Sequence, residues 1–558
     1  MQRKNRSRVI GMRSDLLDRS EDRSEKDLRW PNYVVSASRG FVNAWEYAVL
    51  HTPFGWLLVA GVIAAYCVAR SYAGLAGSRV YSHDAFFLLD GAWRMICHQR
   101  PQDDFSSMVG FLAYSPTLVG LWLSHGTVYG FGYGQALMGL VFSVWMYLLG
   151  RNRLLDAPLA LMCVVVCFTA AAPFALGASP FLLSPGMTYN RYGYCLLALI
   201  LVEAVCERRA VSNRSEALGG VSTGVIPAIL FFFKITYFCS ALFLLVTLIP
   251  CRRQTRARWI GILAGFAIVS LLCFAYYSFN LQPLFQDLTL LAHARHIHIS
   301  AYFSDQILGD SALLFAVALS AGFLLLNANE RATRSVLMLG AAGAVCGLLT
   351  GFGNYEFSGF ALEPFVAILV IQMVLRYGIS LPAPMKLFKT AVLAMASAML
   401  VTVLAGSLLA IGAAVRAQIG SKNATQRMHS VRLSGFVTGD EEAFYVGFVN
   451  DGIDLLNRLR KPGETVMCLD FTNPFSYGLG IKSAPGGTNG LQYKSSFNDK
   501  YYQSPQSMFG SADLVIVPRH FSDGSLQDSV PRIYGPYLNS HFREIGESKE
   551  WKLYRRNS

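Results

Sequence analysis

Charge is what this sequence has least of. Only 15% of its 558 residues are Asp, Glu, Lys or Arg, against 53% that are apolar, where a soluble domain carries nearer a quarter charged residues. That balance excludes an ordinary water-soluble globular protein. Cysteine is present, but nine of the 11 (67, 163, 167, 195, 206, 239, 251, 273 and 346) fall in or beside apolar runs, leaving only Cys97 and Cys468 elsewhere. Neither a disulfide framework nor a metal spacing is written there. A Gly-rich phosphate loop, a Ser-His-Asp spacing and the inverted repeat of many secondary transporters are also missing. Ionisable residues deep in the apolar runs are few. Glu203 is expected to snorkel from near one end of its run, and Glu363 lies about one turn from an end; an ion or proton pump needs more.

What the chain does have is apolar runs long enough to cross roughly 30 Å of hydrocarbon. They lie near 55–76, 108–126, 132–150, 156–177, 191–206, 218–250 (room for two short helices), 260–279, 309–327, 335–352, 359–376 and 389–413. The fold class they predict is a polytopic α-helical membrane protein of about 11–12 apolar helices. Residues 1–53 are mostly polar, with ten Lys/Arg against seven Asp/Glu, and are expected to form a largely disordered cytoplasmic tail ahead of an uncleaved anchor. After 414 the pattern changes. "EEAFYVGFVNDGIDLLNRLRKPGETVMCLDF" reads as an amphipathic helix, a Pro-Gly stop and a buried strand at 465–471. A short helical piece at 504–511, a strand at 513–518 and a closing hairpin around Glu547-Ser548 follow, so 414–558 is predicted to be a small extracytoplasmic α/β domain. "NPFSYGLG" at 473–480 reads as the turn and helix after a strand.

A net charge of +13 would suggest nucleic acid in a soluble protein. Here the basic residues cluster in short connections, as the positive-inside bias requires. Arg151/Arg153, Arg208 through Arg214, Arg252 through Arg258, Arg331/Arg334 and Arg376 through Lys389 are assigned to the cytoplasm. Parity then puts 78–107, 178–190, the tip near Lys234, 280–308, 353–358 and everything after 414 on the outer side. One step fails to count: two apolar runs separate the outer loop from Arg151. The run 108–126, broken by Ser115-Pro116, is expected to enter and return or to lie in the interface.

The outer loops carry the candidate chemistry. "YSHDAFFLLDGAWRMICHQRPQDDF" (81–105) places Asp84, Asp90, Asp103 and Asp104 among aromatics. A pair of interfacial amphipathic helices, with Phe86, Phe87, Trp93 and Phe105 at headgroup level, accounts for the aromatics. It does not account for Asp84, an acid costly to hold beside a membrane helix unless paired or partly wet. "SPGMTYNRYGY" presents Asn190 and Arg191, and "FFFKITYF" buries Lys234 in an apolar span where its ammonium needs an anionic partner or an escape. "LTLLAHARHIHISAYF" carries His293, Arg295, His296 and His298, whose spacing fits a cationic cluster over an anionic headgroup better than zinc. "GFGNYEFSG" turns tightly and presents Asn354, Tyr355 and Glu356.

Taken together, these strings resemble the glycosyltransferase C superfamily, in particular bacterial members that use polyprenyl-phosphate sugars, related to the aminoarabinose transferases and protein O-mannosyltransferases. "HDAFFLLDGAWRM…RPQDDF", "TYNRYGYCLLALILVEA", "LFFFKITYF" and "ADLVIVP…WKLYRR" carry the resemblance, which covers the whole chain in architecture. The chain departs from many relatives in having Asp84-Ala85 rather than Asp-Glu, and "SSMVG" where a Pro-Pro pair stands. The resemblance implies a lipid-linked-sugar-dependent transferase in the inner cell membrane, inverting, with Asp84 as general base. It implies Lys234, Arg191, Asn190, Arg295, His296, Asp103, Asp104 and Glu356 as substrate contacts. It further implies a polyprenyl-phosphate-linked sugar donor, a glycan, lipid or protein acceptor, and contact with membrane lipid but not with nucleic acid. No cofactor is required for a monophosphate leaving group, although a diphosphate donor would favour a divalent cation. Rival readings are an envelope polysaccharide ligase or polymerase, against which the folded end domain counts, and a transporter.

Overall fold

A computed structural model describes residues 53–175, 178–205, 212–251, 255–295, 346, 362–377, 383–421 and 427–557. The apolar runs within that range become helices. Four, Pro53–Ala73, Gly130–Gly150, Arg256–Tyr276 and Leu393–Gly420, are long and apolar enough to cross a membrane; Phe111–Leu123, Asp156–Ala171, Ile235–Val246 and Glu363–Gln372 are shorter apolar helices. Thr188–Val205 is a further helix, and the 218–250 run divides as expected into Asn213–Phe231 and Ile235–Cys251, turning at Lys234. The runs 309–327 and 335–352 lie, but for Cys346, outside the described residues.

Glycine sets the tightest helix pair. A Cβ on Gly224 would stand 2.0 Å from the Ile262 carbonyl oxygen, and one on Gly261 would stand 2.2 Å from that of Ala217. Gly220 and Gly265 meet the facing backbone as closely, so two small-xxx-small faces let Asn213–Phe231 and Arg256–Tyr276 approach to backbone contact.

Among the described residues, the connections around Arg153 and Arg258 gather at one end of the bundle. Arg153 and Arg258 both reach the Glu203 carboxylate, at 2.8 and 3.0 Å, and Arg258 lies 4.0 Å from Glu216. The Leu155 amide donates to Gln372 Oε1 at 3.0 Å. Glu203 therefore does not snorkel: its side chain is 1% exposed, because two guanidiniums supply inside the protein what water would have supplied outside.

At the opposite end sit 73–110, 126–129, 183–190 and 277–295, together with the chain from 427 on. The helix Phe111–Leu123, at about 20 Å, is too short to cross. Gly110 at its start donates to Phe233 O at 2.9 Å, and beyond its end Gly126 O accepts from the Tyr477 hydroxyl at 3.2 Å while Val128 N donates to Arg432 O at 2.9 Å. Both ends thus face the same side of the protein, which resolves the miscount of crossings.

The C-terminal segment builds a four-stranded sheet, in the order β4(Val466–Cys468), β6(Leu514–Pro518), β8(Trp551–Arg556), β7(Phe542–Glu547), parallel between the first pair and antiparallel thereafter. Helices Ala443–Leu459 and Leu526–His541 accompany it. It is stitched to the helical part by two small parallel ladders: β1(Leu75–Ser78) on β3(Phe436–Thr438), and β2(Ser106–Ser107) on β5(Thr488–Asn489).

This stitching overturns the interfacial reading of 81–105. A single helix, Asp84–Ile96, forms there, and it is buried on every side: Phe86 is 0%, Phe87 5% and Trp93 9% exposed. Trp93 Nε1 donates to Ile481 O at 2.8 Å, so the aromatics pack against protein rather than lipid headgroups. Asp90 is likewise structural, held at 2.8 Å by Arg94 one turn on and by Ser483 at 3.4 Å.

Candidate active site

The helix Asp84–Ile96 opens with its acid in the first turn, where the backbone amides favour a carboxylate. Tyr81, at φ +54°, folds the chain back so that the Asp84 amide donates to Tyr81 O at 3.0 Å. The Asp84 side chain keeps 16% exposure because it borders a cavity of about 280 Å³ lined by Tyr81, His83, Phe87, Thr188, Tyr189 and others. The segment 185–189 forms the wall. A Cβ on Gly186 would lie 2.8 Å from Asp84 Oδ2, so glycine there leaves the carboxylate its position. Loops of the C-terminal segment form the roof: Phe471, Gln492 and Ser522 through Gly524.

His83 stands beside the acid, with Nε2 3.4 Å from Asp84 Oδ1. Burial pushes its imidazole down to about 4, against an opposing pull from Asp523. At neutral pH the neighbour of Asp84 is therefore a neutral ring with one proton to donate, and the carboxylate is not neutralised by it. Phe471 and Tyr445 meet the His83 ring edge-on at 5.2 and 6.2 Å.

Tyr189 links the acid to the cationic residues. Its ring borders the cavity, and the Lys234 ammonium lies 4.9 Å from the ring centroid. Lys234 also donates to Asn190 Oδ1 at 3.2 Å. Asp84 and Arg295 both lie close enough to act electrostatically on the Tyr189 hydroxyl, and Arg295 acts on Lys234 as well. Lys234 and Asp287 line a second, water-sized cavity of about 10 Å³, and Met108 is common to both.

Thus Asp84, Asn190, Lys234 and Arg295, drawn from four separate stretches of chain, come together around one tyrosine. Arg191 does not join them. Its guanidinium donates to Ala172 O and, at 3.5 Å, to Gly186 O, so it braces the wall and is not among the residues lining either cavity. Asp103 and Asp104 are also elsewhere. Asp104 accepts from the Arg100 amide at 2.7 Å and Asp103 lies 3.7 Å from the Arg100 guanidinium, a local turn that borders neither cavity. His296, His298, Asn354, Tyr355 and Glu356 lie outside the described residues. No cluster of three His, Cys, Asp or Glu able to hold a metal occurs among the described residues.

Sequence reasoning missed His83, Tyr189, Phe471, Gln492 and Asp523. A signal existed for two of them. Phe471 and Asp523 lie in the loops that leave the carboxyl ends of the parallel strands β4 and β6, the place where open α/β sheets bind ligands.

No family model matches the sequence, and neither does any curated protein. Among solved structures the chain is similar to ArnT from Cupriavidus metallidurans bound to undecaprenyl phosphate, at 10% identity and a TM-score of 0.47 over 90% of this chain and 98% of that one. It is also similar to the oligosaccharyltransferase of Archaeoglobus fulgidus in complex with Zn and sulfate, at 10% identity and a TM-score of 0.37 over 88% and 72%. The archaeal oligosaccharyltransferase AglB from Archaeoglobus fulgidus, in complex with an inhibitory peptide and a dolichol-phosphate, gives a TM-score of 0.33 at 10% identity over 84% and 70%. These are likenesses of outline, and the functional reading below rests on the residues.

Proposed function

We propose that this protein is a membrane glycosyltransferase that moves a sugar from a polyprenyl-phosphate carrier to an acceptor hydroxyl on the outer face of the inner membrane. The observation that carries it is the meeting, around Tyr189, of a cavity-facing carboxylate with cationic side chains from distant turns. Asp84 takes the proton of the acceptor hydroxyl as that oxygen forms a bond to the anomeric carbon. The bond from that carbon to the carrier phosphate oxygen breaks, its electron pair leaves with the phosphate, and the sugar inverts. General-base help of this kind is worth roughly a hundred- to ten-thousandfold. Charge gathering on the departing phosphate is met by Lys234, held by Asn190, and by Arg295; a preorganised donor in such a setting contributes roughly 3 kcal/mol. His83, neutral beside Asp84, can hold the carboxylate in place without quenching its basicity. The segments gathered at the Arg153–Glu203–Arg258 end belong to the cytoplasmic side in this reading, and the C-terminal sheet lies outside.

The test is transfer itself. Purified protein in nanodiscs, given radiolabelled undecaprenyl-phosphate sugars and envelope glycans, lipids and peptides in turn, should yield a labelled acceptor and free undecaprenyl phosphate in equal amounts. Release of free sugar without any labelled acceptor, or ligand flux in proteoliposomes without chemistry, would replace this reading with another.

A further inference from the structure

Arg295 reaches the site from the end of the helix Gln282–Ala294, and the last carbonyls of a helix need donors from outside it. Asn498, in a loop of the C-terminal segment, supplies them. Its side-chain nitrogen donates to His293 O at 3.1 Å and to Ala294 O at 3.0 Å. Its side-chain oxygen accepts from the Lys500 and Tyr501 amides at 2.9 and 2.8 Å. All four partners are backbone atoms, so they fix which way the amide points and require a side chain that both donates and accepts.

The clasp is anchored on both sides. Behind it, the Asn498 amide donates to Tyr501 O at 2.8 Å, and the neighbouring Phe497 is buried in the core of the C-terminal segment. In front, the Tyr501 ring lies against the His293 imidazole with centroids 4.8 Å apart, and Ala294 is fully buried. Nearer the start of the same helix, Asp287 accepts from the Ser107 amide, in β2, at 3.0 Å. The helix is thus held along its length and again at its end, which determines where the residue immediately after it is delivered.

We infer that Asn498 is a positioning residue for the carrier phosphate: by closing the end of this helix it sets the Arg295 guanidinium on the same site as Lys234 and Tyr189. This rests on the proposed role of Arg295 in meeting that phosphate. A guanidinium binds phosphate through N–H groups in a fixed fork, so its strength depends on where its backbone is held. A helix end left free to shift misplaces the fork, and the loss falls on the charged headgroup rather than on the lipid tail. The loop that carries Asn498 also contains Gln492, which borders the Asp84 cavity. The C-terminal segment therefore serves the carrier cations as well as roofing the cavity.

The test compares undecaprenyl phosphate with undecaprenol, the same lipid without its charge, as ligands of the full chain in nanodiscs. Asn498→Asp keeps an oxygen for the Lys500 and Tyr501 amides, and hence the loop, but loses the protons given to the helix carbonyls. It should weaken undecaprenyl phosphate about tenfold, or about 1.4 kcal/mol, and leave undecaprenol unchanged. In an Arg295→Gln background the same substitution should cost nothing further, since residues acting through one another are not additive. Tyr501→Leu, which removes only the ring contact to His293, should show the same pattern at smaller amplitude, and it decides the matter should Asn498→Asp not fold. Unchanged undecaprenyl-phosphate affinity in Asn498→Asp, equal losses for phosphate and alcohol, or a full further loss in the Arg295→Gln background would overturn the inference. If Arg295→Gln alone leaves the affinity unchanged, the clasp's role and the part given to Arg295 in transfer fall together; if Arg295→Gln weakens the carrier and Asn498→Asp does not, only the clasp falls.

Discussion

Two clusters of ionisable groups stand at opposite ends of the helical bundle, and they are built on opposite principles. At one end Arg153, Glu203, Glu216 and Arg258 are each nearly or wholly buried and form ion pairs with one another. At the other, Asp84 keeps part of its surface in a cavity, beside a neutral imidazole, with its cationic counterparts set back across Tyr189. Buried charges paired at contact distance mainly hold helices in register, and removing one strands the other. A carboxylate that keeps part of its surface in a cavity is instead one a substrate can reach. The contrast teaches that a charge in a membrane protein is read by what faces it, not by its depth alone.

The contrast can be broken or sharpened by substitution. The largest effect belongs to the closed cluster: Glu203→Ala leaves two buried guanidiniums without their shared acceptor and should cost about 3–5 kcal/mol of folding stability, read as a large fall in thermal midpoint in detergent. At the open cluster, Gly186→Ala puts a methyl group within 2.8 Å of Asp84 Oδ2. It should lower transfer about tenfold, some 1.4 kcal/mol, with a thermal midpoint near that of the native protein. A large loss of stability in Gly186→Ala would erase the distinction between the two ends.

A smaller effect is expected under the roof. Burial pushes the Asp470 carboxyl up to about 6, so between its ordinary value and about 6 the folded state binds more protons than the unfolded one. Stability contributed at this site is complete at low pH and declines as pH rises through that window. Asp470→Asn should flatten that decline in thermal midpoint measured from pH 4 to 7, and an unchanged slope would show the carboxyl to be ordinary. The smallest effect is at Asp103, a half-exposed partner of Arg100. Asp103→Asn should change stability by less than about 1 kcal/mol and leave transfer rate unaltered.

Much of this organisation was legible in the sequence. Apolar run length gave the helices within the described residues, including the division at Lys234, and the clustering of arginines anticipated which loops share an end. The strands at 466–468 and 514–518 and the terminal hairpin followed from alternation and turn residues. The helix Leu526–His541 did not, because Pro531 and Pro536 lie inside it and proline ordinarily argues against a helix interior. The segment 81–105 was misread for a different reason. An amphipathic, aromatic-rich helix has the same pattern whether a lipid headgroup layer or a protein roof covers it, and only the chain from 427 on, hundreds of residues away, decides which. Arg191 is ambiguous in the same way: a cation at the rim of a helix looks the same whether it awaits a phosphate or holds two carbonyls of its own loop.

The division of labour around Tyr189 is tested most directly by one paired measurement: transfer rate and undecaprenyl-phosphate affinity, determined in the same nanodisc preparations for Asp84→Asn and Lys234→Ala. The account predicts that Asp84→Asn loses roughly a hundred- to ten-thousandfold in turnover with carrier affinity unchanged, while Lys234→Ala weakens the carrier. Native turnover in Asp84→Asn, or carrier affinity indifferent to the loss of Lys234, would contradict it.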